Sequence, residues 1–374
     1  MIEELPKPDF KKIKNIFTPF GYQGIIDSLI EGDSDGRIWV DDLISPKSAL
    51  MLSTEGYFLA GDPNNEVFNK DLRDLILKFI DIKYFPFYEG CENFFFYTTE
   101  DWKPKFVTLF PTREPFEIRR KHYIITRREQ KLDWRAKIPE NYEIKQINQT
   151  LELERYELEN DVKSWIGVGL ESMIKRGFGA CMLYKDRIIT WSNAVCASGD
   201  RCEIGIFTSK KYRRQGFASI TAAAAVEFSF KTGFHTVEWH CEDHNYGSIG
   251  VAQKVGFTKK TDYIMYSCMF DEAEHLAELG MRLFWKKDFI GSIELFEEAF
   301  SKGKVPVWFY HLAARAHSTL GNTNVAIRRL KDAANHGWEN IDHTEHCVEF
   351  EPLHHLDQWK KILTQIKENQ NKYY

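Results

Sequence analysis

An α+β architecture with an all-α carboxy-terminal module is predicted by three observations. Strand-like and helical runs alternate between about residues 139 and 270, and aromatic strand candidates surround one clear helix before them. A 34-residue helical period then runs from about 272 to the end. With 374 residues, 43 % hydrophobic and 14 % aromatic, the chain is long and apolar enough for two or three folded cores.

In the first stretch, 1–138, Gly36–Val40 and Ala49–Leu59 read as strands, with Gly56 and Gly61 at bends. Leu72, Leu75, Ile76 and Phe79 recur at helical spacing within Asn69–Ile80, and Asn93–Thr98 and His122–Thr126 read as later strands. No catalytic motif stands out there, and the stretch reads as an α/β domain. In the second stretch, 139–270, Tyr142–Ile147 reads as a strand and Leu151–Arg176 as two amphipathic helices. Gly179–Tyr184 and Ile188–Cys196 form a hairpin around Lys185-Asp186-Arg187, followed by a strand at Cys202–Thr208 and a helix at Ala218–Lys231. A strand at Thr236–Cys241, a short helix at Gly247–Val255 stopped by Gly256, and a strand at Tyr263–Met269 complete a mixed, mostly antiparallel sheet with flanking helices.

In the third stretch, 272–374, Gly280, Ser292, Phe296, Ala299 and Gly303 are matched 34 residues later by Ala314, Ala326, Leu330, Ala333 and Gly337. Small residues at close helix crossings with a large one between them are what tetratricopeptide-like stacking requires. Two such repeats and a final helix at Leu356–Lys367 are expected. The tail is expected to engage a second copy or a protein partner, and Trp308, Phe309 and Tyr310 are the expected contact residues of a dimer or a domain contact.

The net charge of −5 argues against a nucleic-acid partner and suits a cationic substrate. The segment Glu31-Gly32-Asp33-Ser34-Asp35 and the pair Asp41-Asp42 are candidate attractors for one. No apolar run approaches the roughly 20 residues of a membrane span, and Met1–Lys14 lacks a signal-peptide core, so a cytoplasmic protein without a membrane partner is expected. The seven cysteines are scattered without a C-x-x-C pair, so reduced packing residues and no metal site are expected.

The informative motif is Arg213-Arg214-Gln215-Gly216-Phe217-Ala218, between a strand and an alanine-rich helix. A loop there points successive backbone N–H groups outward, and the helix adds its positive dipole end, which together suit a pyrophosphate. Gly216 and Ala218 permit close approach, and Arg213 and Arg214 supply charge. About 30 residues on come Asn245-Tyr246-Gly247-Ser248, Ala252 and Val255-Gly256-Phe257 before a last strand.

This order of strand, R-x-x-G-x-A loop, helix, strand, N-x-x-S helix and G-F resembles the GNAT N-acetyltransferase superfamily over about 130 residues. The resemblance implies a V-shaped opening between the strands at 202–208 and 236–241 that admits acetyl-CoA as cosubstrate. Backbone groups near Ile206, Phe207 and Thr208 would pair with its pantetheine amides, Arg213 to Ala218 would hold the pyrophosphate, and Asn245 and Ser248 would lie near the thioester. The fuller architecture resembles the zwittermicin A-resistance acetyltransferases, which acetylate an aminopolyol antibiotic on an amine. Phe116–Ile124 echoes Phe257–Ile264, so the first stretch is either a degenerate GNAT half or an unrelated α/β cap.

Glu203 is the first candidate for the base that takes the amine proton, with His240, Glu238 and His244 behind it. Many GNAT enzymes carry a tyrosine four residues before the G-F pair to protonate the thiolate; Ala252 stands there in this chain, leaving Tyr246, Ser248 or water for that step. The reading is an N-acetyltransferase for a small cationic amine. Its rivals are a non-catalytic acetyl-CoA-binding scaffold and a protein-amine acetyltransferase that docks through the helical tail.

Overall fold

The computed structural model describes residues 2–371 apart from 88–89, 128, 130–131 and 167–169. The chain divides into two compact units, Met1–Ser267 and Cys268–Tyr374. Both of the first two stretches therefore lie in one unit rather than parting near residue 138. Among the described residues no helix is long and apolar enough to cross a membrane.

The first unit opens with β1 (Glu3–Glu4), α1 (Gly24–Glu31), β2 (Gly36–Val40), β3 (Ser48–Ser53), β4 (Gly56–Gly61), α2 (Glu66–Asp81), β5 (Asn93–Thr98), α3 (Phe106–Leu109) and β6 (Phe116–Thr126). There follow β7 (Tyr142–Ile147), β8 (Glu157–Leu158), α4 (Asn160–Ile166), α5 (Leu170–Arg176), β9 (Gly179–Tyr184), β10 (Arg187–Ser192), β11 (Ala194–Ser198) and β12 (Arg201–Ile204). It closes with β13 (Phe207–Thr208), α6 (Phe217–Thr232), β14 (Thr236–Glu242), α7 (Tyr246–Val255) and β15 (Thr258–Met269).

Four expectations change, one being the strand at 202–208, which breaks into β12 and β13. The run at 49–59 is a hairpin that turns at Thr54-Glu55, because Gly56 takes a left-handed φ of 110°. The helical stretch at 151–176 begins only at Asn160, since Leu153–Arg155 and β8 come first; residues 167–169, between its two helices, lie outside the described residues. The strand expected at 188–196 breaks at Asn193, where the chain leaves one sheet for another.

A ten-stranded sheet runs β1-β2-β3-β4-β5-β15-β6-β14-β12-β11, and a second runs β13-β10-β9-β7 with β8 on β10. The first half reads as a parallel pair β4/β5 with α2 between, then α3 and the long β6. The second half repeats this as the parallel pair β12/β14 with α6 between, then α7 and the long β15. The two long strands are exchanged: β6 pairs with β14, and β15 lies between β5 and β6. The order of elements is thus the same in both halves, and the echo between 116–124 and 257–264 falls at corresponding long strands. Helix α6 packs on β7, β9 and β10 and on α7. Ala222 to Ala225 are fully buried, which only a run of small residues allows where sheet and helix press from several sides.

The second unit is all-helical: α8 (Glu272–Trp285), α9 (Phe289–Lys302), α10 (Val307–Thr319), α11 (Thr323–Asn335), α12 (Ile341–Glu345) and α13 (Asp357–Asn371). The 34-residue spacing places α8/α9 and α10/α11 as successive hairpins. Phe309 and Tyr310 are buried inside this unit, Tyr310 stacked on Phe300 at 4.4 Å, while Trp308 is 48 % exposed. At the first crossing a Cβ on Gly280 would lie 3.0 Å from the Phe296 ring and 3.2 Å from the Ser292 carbonyl. Gly280→Val is therefore expected to cost about 1–3 kcal/mol by overpacking. Thermal unfolding measures it, and an unchanged melting temperature would show the crossing to be loose.

Candidate functional site

The site begins with two strands that part. β12 runs parallel to β14 only from Arg201–Glu203 against Thr236–Glu238. The chain then leaves at Gly205 and joins the second sheet as β13, its outermost strand, with Phe207 opposite Trp191 and Thr208 opposite Thr190. β14 continues to Glu242, held on its other side by β6. The preceding hairpin makes the same jump at Asn193, which exchanges backbone hydrogen bonds of 3.2 and 3.0 Å with Gly205. A bulge between Ala194 and Cys196 accompanies it, a common device for re-aiming side chains at a site. The result is a V-shaped cleft of about 350 Å³ lined by Glu55, Arg120, Asn193, Glu203, Ile206, Trp239, His240, Glu242, Asn245 and Ser248 among others.

The loop from Arg213 to Ala218 stands at the start of α6. Arg214 (φ 65°) and Gly216 (φ 88°) are both left-handed, a strained arrangement for an arginine that turns successive N–H groups the same way. None of the backbone N–H groups from Arg214 to Ala218 finds an acceptor among the described residues, and no side chain caps α6. Arg213 donates through Nε to the Thr208 carbonyl at 2.9 Å and lies over the Phe207 ring. Arg213, Arg214 and Gln215 are exposed; the Phe217 side chain is buried against Tyr142, so only its backbone faces a ligand. The Lys254 ammonium from α7 reaches to 3.9 Å from where a Cβ on Gly216 would lie, a contribution no motif announced. These features fit an acetyl-CoA pyrophosphate. The equivalent turn of the first half does not: α2 is capped by Asn65, whose side chain accepts from Phe68 N–H at 3.1 Å, with Asp62 and Glu66 beside it.

Glu203 is buried at the base of the V. Burial, then the negative charges of Glu55 and Glu238, hold its carboxyl well above the usual carboxylate range, against the pull of Arg120 and a Cys196 thiol that donates to Oε2 at 3.7 Å. Burial likewise raises Glu55, with Arg120 opposing. Burial, then the His122, Arg120 and Arg201 charges, push His240 well below its ordinary value, so it is neutral at pH 7. His240 meets the Tyr263 hydroxyl through Nδ1 at 2.7 Å and stacks on His122, with ring centroids 4.5 Å apart.

His122, Glu238 and His240 gather three ligand-type atoms within 4.8 Å of one another. The imidazole planes are stacked at 9°, so an ion cannot lie in both, and the Arg201 guanidinium already donates to Glu238 at 3.0 Å. Glu238 Oε2 and the Nε2 atoms of both histidines find no hydrogen-bond partner among the described residues.

Asn245 caps α7 by accepting from Ser248 N–H at 3.0 Å, and the Ser248 hydroxyl accepts from Trp239 Nε1 at 3.0 Å. Both line the cleft. Tyr246 does not join them. The first residue of α7, it is 80 % exposed and is not among the residues that line the cleft. His244 is exposed and pairs with Glu242 and Asp243. Ala252 is fully buried. The acidic segments at 31–35 and 41–42 stay outside the cleft, and Asp41 and Asp42 cap local turns. Sequence reasoning missed Glu55 and Arg120, which reach the cleft from the first half. Only the turn chemistry at Ser53-Thr54-Glu55-Gly56 hinted at the first, and nothing marked the second.

The profile of the GNAT acetyltransferase family matches residues 14–266, leaving the second unit outside the matched span. An uncharacterized N-acetyltransferase of Bacillus subtilis, YdfB, is 22 % identical over 267 residues, which are 71 % of this chain and 98 % of that protein. A GCN5-related N-acetyltransferase-like protein from Streptococcus suis shares the fold at TM-score 0.50 and 22 % identity, over 69 % of this chain and 98 % of that one. The glucosamine N-acetyltransferase region of a fungal multi-domain β-N-acetylglucosaminidase also gives 0.50, at 10 % identity, over 71 % of this chain and 38 % of that one.

Proposed function

The chain belongs to the GNAT acetyltransferase family, and from that premise we propose that it moves the acetyl group of acetyl-CoA to a primary amine of a small cationic molecule in a ternary complex. The observation that carries this reading is the pair of carboxylates, Glu203 and Glu55, that line the V together with Arg120. Acetyl-CoA supplies an electrophilic thioester carbon. The outward N–H groups of 214–218 anchor its phosphates, and Ile206, Phe207 and Thr208 lie along its arm.

Glu203 takes the proton of the attacking ammonium, directly or through one water. Its raised affinity for a proton brings it nearer to that of an alkylamine, which favours proton transfer. His240 holds its proton too weakly for this role and instead helps fix the wall of the cleft with Tyr263. With alanine at 252, the Ser248 hydroxyl or water returns a proton to the leaving sulfur. Bringing both reactants together supplies on the order of 7–11 kcal/mol, so positioning outweighs either proton transfer.

An aminopolyol of the zwittermicin A type is the first substrate to try, which would make the enzyme a cytoplasmic self-resistance factor. The helical unit, read as tetratricopeptide-like, offers a docking surface for a second copy or a protein. Mass spectrometry of acetyl-CoA reactions with zwittermicin A, aminoglycosides, spermidine and a lysine peptide tests the reading. A singly acetylated small amine is expected. Product on the peptide alone would transfer the assignment to protein acetylation, and no product on any amine would leave the scaffold reading standing.

A further inference from the structure

The amino-terminal half lacks a phosphate loop, yet it sends a charged side chain into the other half's cleft. Glu55 sits at the tip of the β3–β4 hairpin and lines the V with Glu203 and Arg120. The tip is fixed. The Glu55 N–H donates to Ser53 Oγ at 3.1 Å, and that hydroxyl donates to the Gly56 carbonyl at 3.1 Å. Gly56 holds a φ of 110°, and a Cβ there would come within 2.5 Å of the Phe95 ring, so only glycine fits this turn. A glutamate at a hairpin tip ordinarily extends into water; this one is held against a protein wall.

Its carboxylate has no hydrogen-bond donor and no cation within ion-pair distance among the described residues. Among the described residues the Glu203 carboxylate receives only the Cys196 thiol. Arg120 is half-buried beside them, but its Nη1 donates to the Tyr97 hydroxyl at 2.9 Å and its Nε–H finds no acceptor among the described residues. Of the other carboxylates nearby, Glu238 is taken by Arg201 and Glu242 by His244. The inner cleft thus holds two carboxylates against one guanidinium. Sequestered carboxylates without partners cost stability, and a bound cation removes that cost.

We infer that Glu55 is a specificity-determining residue that binds the ammonium of the acceptor opposite Glu203, so that the amino-terminal half selects cationic over neutral amines. This rests on the amine-acetylation reading. Glu55 forms the contact and Glu203 accepts the proton, a division of labour between residues that only the strand exchange brings together.

The test compares wild type with Glu55→Gln, after a control that acetyl-CoA raises the melting temperature of both equally. With spermidine at pH 7, KM is expected to rise about 10-fold or more, the effect of losing a charged hydrogen bond. With aniline, neutral at that pH, KM should be unchanged. A structural role would not move the pH profile, whereas loss of the Glu55 charge lets Glu203 ionise more easily. The acid limb of kcat/KM should then shift to lower pH. The groups facing Glu203 are Glu55, Glu238, Arg120 and Cys196, with Tyr97 and Tyr263 nearby, and only the first is altered. An unchanged KM for spermidine, or an equal loss with aniline, overturns the inference. Should wild type acetylate no amine, the activity reading fails separately. Calorimetric binding of spermidine to the CoA-saturated protein then decides: binding lost in Glu55→Gln supports the inference, and no binding to wild type ends it.

Discussion

Replacing Glu203 by glutamine is expected to lower kcat/KM by about 10²–10⁴-fold at pH 7, the usual contribution of general base help, and by less at alkaline pH. An alkylamine near pKa 9 costs roughly 2.7 kcal/mol to deprotonate at neutral pH, and that cost vanishes as the solution takes over the base's task. Stability should move the other way. Because burial and two like charges raise Glu203 above its unfolded value, the folded protein keeps a proton that the unfolded chain releases. The stabilisation from that proton is complete below the unfolded value near 4.5 and is lost as pH rises through the folded one. The glutamine variant lacks this loss, so its melting temperature should gain on wild type as pH increases from 5 to 8. Rate measurements on an acetylated amine and melting curves across that range check both halves. A loss of rate that is uniform with pH, together with a destabilised variant, would give Glu203 a structural task and leave proton removal to water.

The second large effect concerns the phosphate loop. Acetyl-CoA at about 100 times its dissociation constant should stabilise the protein by about 2.7 kcal/mol, and Gly216→Glu should abolish that gain. A carboxylate there would stand in the phosphate position before the uncapped N–H groups of α6, and it would engage Lys254 in the ligand's stead. Gly216 also carries a left-handed φ of 88°, so any side chain strains the turn. Gly216→Asn is the control, since asparagine tolerates that conformation and adds no charge. Asparagine with most of the stabilisation retained, beside glutamate with none, assigns the effect to charge. Equal thermal shifts in wild type and in Gly216→Glu would place the cofactor loop elsewhere.

Local devices were legible in the chain itself. The run from Arg213 to Ala218, the N-x-x-S start of a helix at Asn245 and the stop at Gly256 each depend on a few consecutive residues. Backbone conformation and helix termini are settled over that distance, so the pattern of side chains suffices to read them. The small residues spaced 34 apart are of the same kind: Gly280 and Ser292 meet because helices pack at their thinnest points. The GNAT-like order of elements followed from these signals.

What surrounds Glu203 was decided elsewhere. Glu55 reaches it from a hairpin about 150 residues earlier, Arg120 from β6, and both depend on the exchange of β6 and β15 between halves. Strand register has a period of two, so which face Arg120 or His122 presents is set by its partner strand and not by its neighbours in sequence. Tyr246 shows the same limit at a helix end, where a motif of the right spacing turned one side chain into the cleft and the next into water. The cofactor loop is a property of consecutive residues, whereas the acid–base environment is a property of charges brought together across a sheet, and only the folded chain assembles those.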